Sequence, residues 1–202
     1  TCYSKGDFAK AEAVTVRALG IQEKLKEVKP VERGDPLETL GTVYLNLGKF
    51  EQAETQLQQV LALREKLLEP DHPNLARAYN NLAGLYWSKN QYAKVEPLLQ
   101  KSLQINEKVF GPENEITGDS LNGLAALYLT TGKYDLAEPM FRRSIAIQEK
   151  KLGPEHPNLA IALGNFAILL QWRGEYLAAE QTFLRVLAIH QKAKGPESKD
   201  VA

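Results

Sequence analysis

A repeat of 42 residues is the feature that most restricts what this chain can fold into. One aromatic residue follows a short polar turn in every unit, at a constant interval and without insertions: Phe8, Phe50, Tyr92, Tyr134 and Tyr176. Glutamates recur in the same register, at Glu12, Glu54, Glu96, Glu138 and Glu180. Fixed periods of this length are typical of arrays in which each unit buries a face against the next.

Each unit contains two helical patterns separated by a break. In the third unit, Leu75, Tyr79, Leu82 and Tyr86 fall on one apolar stripe with helical spacing. Residues 88–91 interrupt the stripe, and a second amphipathic pattern then runs from 92 to 110. No alternating strand pattern competes, so the sequence predicts helix, tight turn, helix in every unit.

The turn between the two helices has its own signature. Glycine occupies one position of this turn in four units, and Asn90 occupies it in the third: Gly6, Gly48, Gly132 and Gly174 are the glycines. Glycine and asparagine tolerate the left-handed backbone that often ends a helix. We therefore expect a left-handed residue at each of these turns.

The stretch "LARAYNNLAGLYWSKNQYAKVEPLLQKSLQINEKVFGPEN" resembles a tetratricopeptide repeat, a unit of ~34 residues. Its Leu82-Ala83, Tyr86, Val95, Leu99 and Ser102 stand at the small and large packing positions of that family. The longer 42-residue form, with "NNLA", "AEP" and "GPEHPN", is similar to the kinesin light chain class and its bacterial relatives. The resemblance implies an all-α fold, a right-handed α-solenoid of antiparallel helix pairs.

The register divides the chain into one solenoid domain with partial units at both ends. We expect it to be a piece of a longer chain, divided as a partial first repeat 1–36, repeats at 37–74, 75–116, 117–158 and 159–198, and the start of a sixth repeat at 199–202.

Composition removes several classes of partner and location. With 25 basic and 25 acidic residues the net charge is zero, which argues against nucleic acid and anionic membranes as partners. No apolar run approaches the ~18 residues of a membrane helix, and no signal peptide is visible. Cys2 is the single cysteine, so no internal disulfide can form and a cytoplasmic protein is expected.

The motif "EPDHPN", which returns as "GPEHPN", invites a catalytic or metal-binding interpretation. Its histidines, His72 and His156, lie two repeats apart, too far to share a metal. Gly153 and Pro154 are suited to ending one helix, and Pro157 to starting the next, with a carboxylate, histidine or asparagine as cap. We interpret the motif as a connector.

The third histidine, His190, aligns with polar residues in the other units, which we take to indicate a tolerant surface position. The aligned residues are Gln22, Arg64, Asn106 and Gln148.

The recurring glutamates are too sparse for paired acid–base catalysis, whose carboxylates lie within ~5–10 Å. We expect them to have a register or capping role near the start of each second helix. The sequence also lacks a glycine-rich phosphate loop, a nucleophile elbow and a cysteine–histidine pair. We therefore expect no enzyme activity, no cofactor, no metal and no small-molecule substrate.

The outer face of each first helix carries amides, small residues and both tryptophans instead of the usual lysine and glutamate. In tetratricopeptide arrays the first helices line the concave surface, so the resemblance makes this face the candidate peptide groove. Asparagine can pair with any peptide backbone, and tryptophan can anchor apolar side chains; alternatively, the asparagines bond neighbouring helices and the tryptophans pack between repeats. The candidate residues are Thr39, Asn46, Arg77, Asn80, Asn81, Trp87, Asn122, Thr130, Asn165 and Trp172.

These features favour a non-enzymatic scaffold that binds an extended peptide or partner segment in the groove. The alternative is a regulatory or architectural array of a larger signalling protein, whose groove is filled by its own chain or a second copy. The faces carry Asp35, Glu38 and Asp119 against Arg77 alone. This balance predicts a neutral to mildly basic peptide with apolar anchors.

Overall fold

Every regular element in the described part of the chain is an α-helix. The computed structural model describes residues 10, 12–17, 20 and 34–194. The helices within 34–194 are α1 Gly34–Asn46, α2 Phe50–Leu67, α3 Pro73–Ser88, α4 Tyr92–Phe110, α5 Glu115–Thr130, α6 Tyr134–Leu152, α7 Pro157–Trp172 and α8 Tyr176–Lys194. The predicted all-α arrangement of helix pairs is confirmed.

The chain divides into two compact units, Thr1–Ile105 and Asn106–Ala202. In the first unit α2 packs against both α1 and α3, and in the second α6 packs against both α5 and α7, while α7 pairs with α8. The second helices α2 and α6 are thus each covered by their own first helix and by the first helix of the next repeat. The predicted boundaries of repeat 1 and of the sixth repeat lie outside the described residues.

Close packing of the helix pair depends on a small residue in the first helix. A Cβ at Gly41 would lie 2.8 Å from the side chain of Leu57, which is 1% exposed. Gly118 plays a similar part in the second unit, where a Cβ would lie 3.2 Å from Ile147. Such separations are shorter than normal contacts between carbon atoms. The two glycines therefore let the helix axes approach and fix which face of each first helix points away from the core.

Whereas Gly6 lies outside the described residues, the four inter-helix turns within 34–194 have the predicted left-handed residue. Its φ is 72° at Gly48, 55° at Asn90, 73° at Gly132 and 79° at Gly174. The next residue closes a hydrogen bond back into the helix, as Gln91 N does to Tyr86 O at 2.8 Å. This is the Schellman ending of a helix, and it confirms the role assigned to Asn90 in the third unit.

The histidines of the connector motif are helix caps. The Nδ1 atom of His72 accepts from Asn74 N at 3.1 Å, and that of His156 accepts from Asn158 N at 3.2 Å. A proline follows each histidine as the first residue of the helix. The connector interpretation of "EPDHPN" and "GPEHPN" is therefore confirmed.

The register shared by His190 is not a tolerant surface in the other repeats, contrary to the sequence interpretation. Arg64, Asn106 and Gln148 are only 2%, 5% and 2% exposed, although His190 itself is exposed. Each of the three buried residues donates to a side chain on a first helix; for Gln148 Nε2 the acceptor is Asp119 Oδ1, at 2.8 Å. A polar residue persists at this register because a polar partner faces it.

The recurring glutamates join successive repeats. Glu54, near the start of α2, accepts from Lys89 at 2.6 Å, just beyond the end of α3. Glu138 on α6 pairs in the same way with Arg173, beyond α7. These two carboxylates thus tie α2 and α6 to the turn of the following repeat, which is a register role.

Candidate peptide-binding face

In the first unit, the candidate face lies on the outer sides of α1 and α3. Thr39 and Asn46 are exposed, but both bond their own helix: Thr39 Oγ1 donates to Asp35 O at 2.9 Å, and Asn46 Nδ2 donates to Thr42 O at 2.7 Å. The amide oxygen of Asn46 has no hydrogen-bond partner among the described residues and could accept from a ligand.

A network of charged side chains occupies the start of this face. Arg64, from α2, donates to both carboxylate oxygens of Glu38, at 3.0 and 2.7 Å, and to Asp35 at 3.0 Å. Arg77 reaches the same two carboxylates, at 3.0 Å for Asp35 and 2.8 Å for Glu38. Asn81 Nδ2 donates to Glu38 Oε1 at 2.6 Å. Two carboxylates therefore face two guanidinium groups, and Arg77 and Asn81 also bridge neighbouring first helices.

This network changes the charge assigned to the face. The sequence count omitted Arg64, which lies on a second helix but reaches both acids through the core. With it, the charges at this end cancel. Asp119 in the second unit stays unbalanced; burial raises the pKa of its carboxyl group, and the hydrogen bond from Gln148 opposes that rise.

In the second unit, two asparagines on α5 and α7 bond each other. Asn165 Nδ2 donates to Asn122 Oδ1 at 3.2 Å, across the same 43-residue separation that joins Asn81 to Glu38. Among the residues that the structure describes, Asn122 Nδ2 and Asn165 Oδ1 have no hydrogen-bond partner. The pair therefore keeps one donor and one acceptor for a ligand.

Asn80 is the least constrained amide of the face. It is exposed, and its side chain makes no hydrogen bond within the described ranges. Space is open on the same helix at Gly84, and in the second unit at Gly123 and Gly164, because a methyl group added at any of them would meet no atom within 4 Å. An incoming backbone can therefore approach these helices closely.

The two tryptophans differ in their freedom. Trp87 is half-buried, with its ring edge-on to Tyr92 at 5.7 Å between centroids. Trp172 is 68% exposed at the end of α7. Thr130, at the end of α5, is exposed and bonds its own helix through Ala126 O at 2.9 Å. Trp172 is thus the more available apolar anchor.

Arg64 is the residue of this face that the sequence interpretation missed. A usable signal was present, because Val60 and Leu61 continue the apolar stripe to Arg64 and every unit carries a polar residue at the same register. A polar residue that recurs inside an apolar stripe indicates a buried hydrogen-bonded group.

Two classes of site find no support in the described ranges. No group of three or more histidine, cysteine, aspartate or glutamate side chains there is arranged to hold a metal ion. Among the described helices, none combines the length and the hydropathy needed to cross a bilayer.

Packed helix pairs with a polar, open first-helix face define a repeat scaffold for protein–protein interaction. The tetratricopeptide repeat family model matches residues 33–108, 91–150 and 117–192. The chain belongs to this family, and the scaffold role is the family's general one.

Solved structures agree on the fold and on the kinesin light chain-like class. A putative kinesin light chain of Podosopora anserina, with nearly identical TPR-like repeats, is 27% identical with a TM-score of 0.77, over 94% of this chain and 90% of that one. BtubC (BKLC) from P. vanneervenii has a TM-score of 0.84 at 22% identity, over 98% of this chain and 79% of that one. No curated protein matches the sequence.

A third structure shows only that the fold is shared. Aspartyl phosphate phosphatase F from Bacillus subtilis is 18% identical with a TM-score of 0.73, over 95% of this chain and 46% of that one.

Proposed function

We propose that this scaffold binds an extended segment of a partner protein along the outer faces of its first helices, without catalysing a reaction. The observation that carries the proposal is the set of amide groups left without partners in the described residues: the side chain of Asn80, Asn122 Nδ2 and Asn165 Oδ1. Each can pair with a peptide N–H or C=O group. The open space at Gly84, Gly123 and Gly164 allows the approach.

The charge balance supports a neutral segment. Because Arg64 and Arg77 offset Asp35 and Glu38, a strongly acidic or basic peptide finds no uncompensated opposite charge at that end. The mildly basic preference expected from the sequence now rests on Asp119 alone. Trp172 favours an apolar anchor in the segment. A cytoplasmic location stays a prediction.

The candidate residues divide into two roles. Asn80, Asn122, Asn165 and Trp172 offer free groups and are proposed to contact the ligand. Arg77 and Asn81 are proposed to hold the face in shape, since their donors are engaged by the two carboxylates. Thr39, Asn46, Thr130 and Trp87 line the face and contribute fewer free groups.

The test is affinity for a neutral peptide selected from a random library against the wild-type chain. Calorimetry is expected to show about fivefold weaker binding for Asn80→Ala, because one hydrogen bond contributes about 1 kcal/mol. Asn122→Ala is expected to act similarly. Gln59→Ala, exposed on α2, is the matched control and should bind as wild type. Equal affinity for all four proteins would contradict the proposed face.

A further inference from the structure

A cavity of about 390 Å³ opens among α6, α7 and α8, away from the amides discussed above. Its walls combine apolar side chains with one carboxylate, two guanidinium groups, one amide group and one hydroxyl group. The residues that define it are Ile145, Glu149, Leu163, Phe166, Thr182 and Arg185. Its volume lies in the range of ~300–1,000 Å³ typical of ligand pockets.

The first unit shows what fills this position in another repeat. Tyr79, which is 7% exposed, stands 84 residues before Leu163. Its hydroxyl group donates to Glu65 Oε1 at 2.8 Å, and the ammonium group of Lys101 lies 5.0 Å from the ring centroid. Glu65 and Lys101 correspond to Glu149 and Arg185 in the same register.

Two of the substitutions between the repeats place a smaller side chain at this position. Leucine replaces the tyrosine ring at position 163, and threonine at 182 replaces Leu98, which packs against the Tyr79 cluster. The corresponding cluster around Leu163 has Ile145 and Val186 against it but no counterpart of Leu98. The carboxylate and the cation remain, now bonded to each other at 2.5 Å between Glu149 Oε1 and Arg185 Nη1.

We propose that this cavity binds the side chain of a tyrosine from a partner protein. The ring would take the place that Tyr79 fills in the first unit, beside Leu163 and Phe166. Its hydroxyl group would donate to Glu149, as Tyr79 donates to Glu65, and the guanidinium group of Arg185 would face the ring. Attraction between a cation and an aromatic face favours this placement.

The charge of the site argues against an anionic ligand. Arg185 is paired with Glu149, and Arg142, at the edge, is paired with Glu138 while lying 4.9 Å from the ring centroid of Phe166. Both cations of the cavity wall are thus engaged before a carboxylate or phosphate could approach. A neutral aromatic group with one hydroxyl donor matches both the apolar wall and the carboxylate acceptor.

The probes are N-acetyl-tyrosinamide, N-acetyl-phenylalaninamide, 4-methylphenol and a neutral peptide, Gly-Ser-Tyr-Ser-Gly, titrated into the full chain and followed by amide chemical shifts. We expect saturable shifts around Phe166 and Thr182, with the tyrosine amide binding at least fivefold more tightly than the phenylalanine amide. Absence of saturation, or equal binding of the two amides, would overturn the proposal. If 4-methylphenol bound and the peptide did not, the proposal would also be overturned, because the site would then serve a small phenol.

Variants that copy residues from the other repeat sharpen the test. Leu163→Tyr is expected to fill the cavity from within and to weaken binding of the tyrosine amide at least tenfold. Thr182→Leu fills it with a smaller change and should weaken binding severalfold, which keeps the test valid if Leu163→Tyr does not fold. Tyr79→Leu/Leu98→Thr, which copies both residues of the cavity wall, should open a second site and raise the stoichiometry from one to two. Unchanged affinity in both filling variants would refute the assignment.

Discussion

At the residue scale, the buried guanidinium group of Arg64 is the strongest local determinant of the first-helix face. Its side chain is 2% exposed, and it bonds Glu38, whose side chain is 10% exposed. A buried charge whose partner is removed leaves an uncompensated ion in the interior, which costs far more than loss of a surface pair. The geometry of Asn81 and Arg77 depends on the same carboxylate.

Replacement Arg64→Met is therefore expected to lower the free energy of unfolding by about 3–5 kcal/mol, the usual cost of breaking a buried pair. Arg77→Met is the matched control, since that side chain is 51% exposed and its loss should cost at most about 1 kcal/mol. Urea denaturation followed by circular dichroism measures both. The double variant Arg64→Met/Glu38→Leu should recover part of the loss. Equal midpoints for the two single variants would contradict a buried role for Arg64.

The residue scale also marks what the sequence could not predict about the face. Periodicity placed the asparagines on the outer side of the first helices, because helical spacing decides which residues share a face. It could not show that Asn165 donates to Asn122 while Asn80 stays free, since that depends on the residue 43 positions away and on side-chain torsions. The same limit hid the partners of Arg64, whose acceptors lie 26 and 29 residues earlier.

At the element scale, helix boundaries were the part most accessible from sequence, because local chemistry determines them. Asn90, which has a positive φ, lies in the turn that follows the end of α3. A histidine cap followed by proline begins α3 and α7. These rules involve neighbours within a few residues, so they can be read directly. The chain of carboxylate and cation pairs between repeats was visible as a recurring glutamate, but its partners were not.

The histidine caps predict a loss of stability when they are removed. His72→Ala and His156→Ala should each destabilise the chain by ~0.5–2 kcal/mol, because one N–H at the helix start loses its acceptor. His72→Asn should retain most of the stability, since asparagine also caps well. His190→Ala, on an exposed residue outside any cap, is the control. Thermal melts of the four variants measure these differences. If His72→Ala had the same melting temperature as wild type, a capping role would be excluded.

The link between repeats predicts a pH dependence. The hydrogen bond from Lys89 holds the pKa of Glu54 below its ordinary 4.5, against the opposing effect of burial. A carboxyl group with a lowered folded pKa contributes stability above 4.5, and that contribution is lost as pH falls through the folded pKa. The melting temperature of Glu54→Gln should therefore lie below wild type at pH 7 and converge with it in acid.

Glu69→Gln, on the exposed connector before α3, gives the matched comparison. This variant should have the same melting temperature as wild type at pH 7. The difference in melting temperature between Glu54→Gln and wild type should also become smaller in 0.5 M NaCl, because salt screens partly exposed ion pairs. If the difference in melting temperature between Glu54→Gln and wild type grew as the pH was lowered, the Glu54–Lys89 pair would not be its cause.

At the scale of the whole molecule, the repeat is regular enough that differences between units stand out. Leu163 and Thr182 line the cavity where the first unit has Tyr79 and Leu98, and two leucines of α8 stand where several other units are polar. Leu177 aligns with Glu51 and Asp135, and it is 78% exposed. Sequence alone showed these mismatches, but only the packing tells which ones create a cavity and which ones create an apolar surface.

The exposed leucines of α8 give the last prediction. Leu184, 60% exposed, aligns with Gln58 and Gln100, so Leu177→Asp/Leu184→Gln restores the side chains that other repeats carry at these positions. The free energy of unfolding should change by no more than about 0.5 kcal/mol, as for other surface substitutions. Self-association measured by light scattering at high concentration should fall, because contiguous exposed apolar residues promote contact between molecules.

Leu57→Ala provides the contrast, since that leucine is 1% exposed at the centre of its repeat and its truncation should cost about 2–5 kcal/mol. If the polar pair on α8 destabilised the chain as much as Leu57→Ala, Leu177 and Leu184 would have to be buried in solution. The same result would mean that α8 packs through its outward side. Unchanged stability with weaker self-association would instead show that the two leucines act only between molecules.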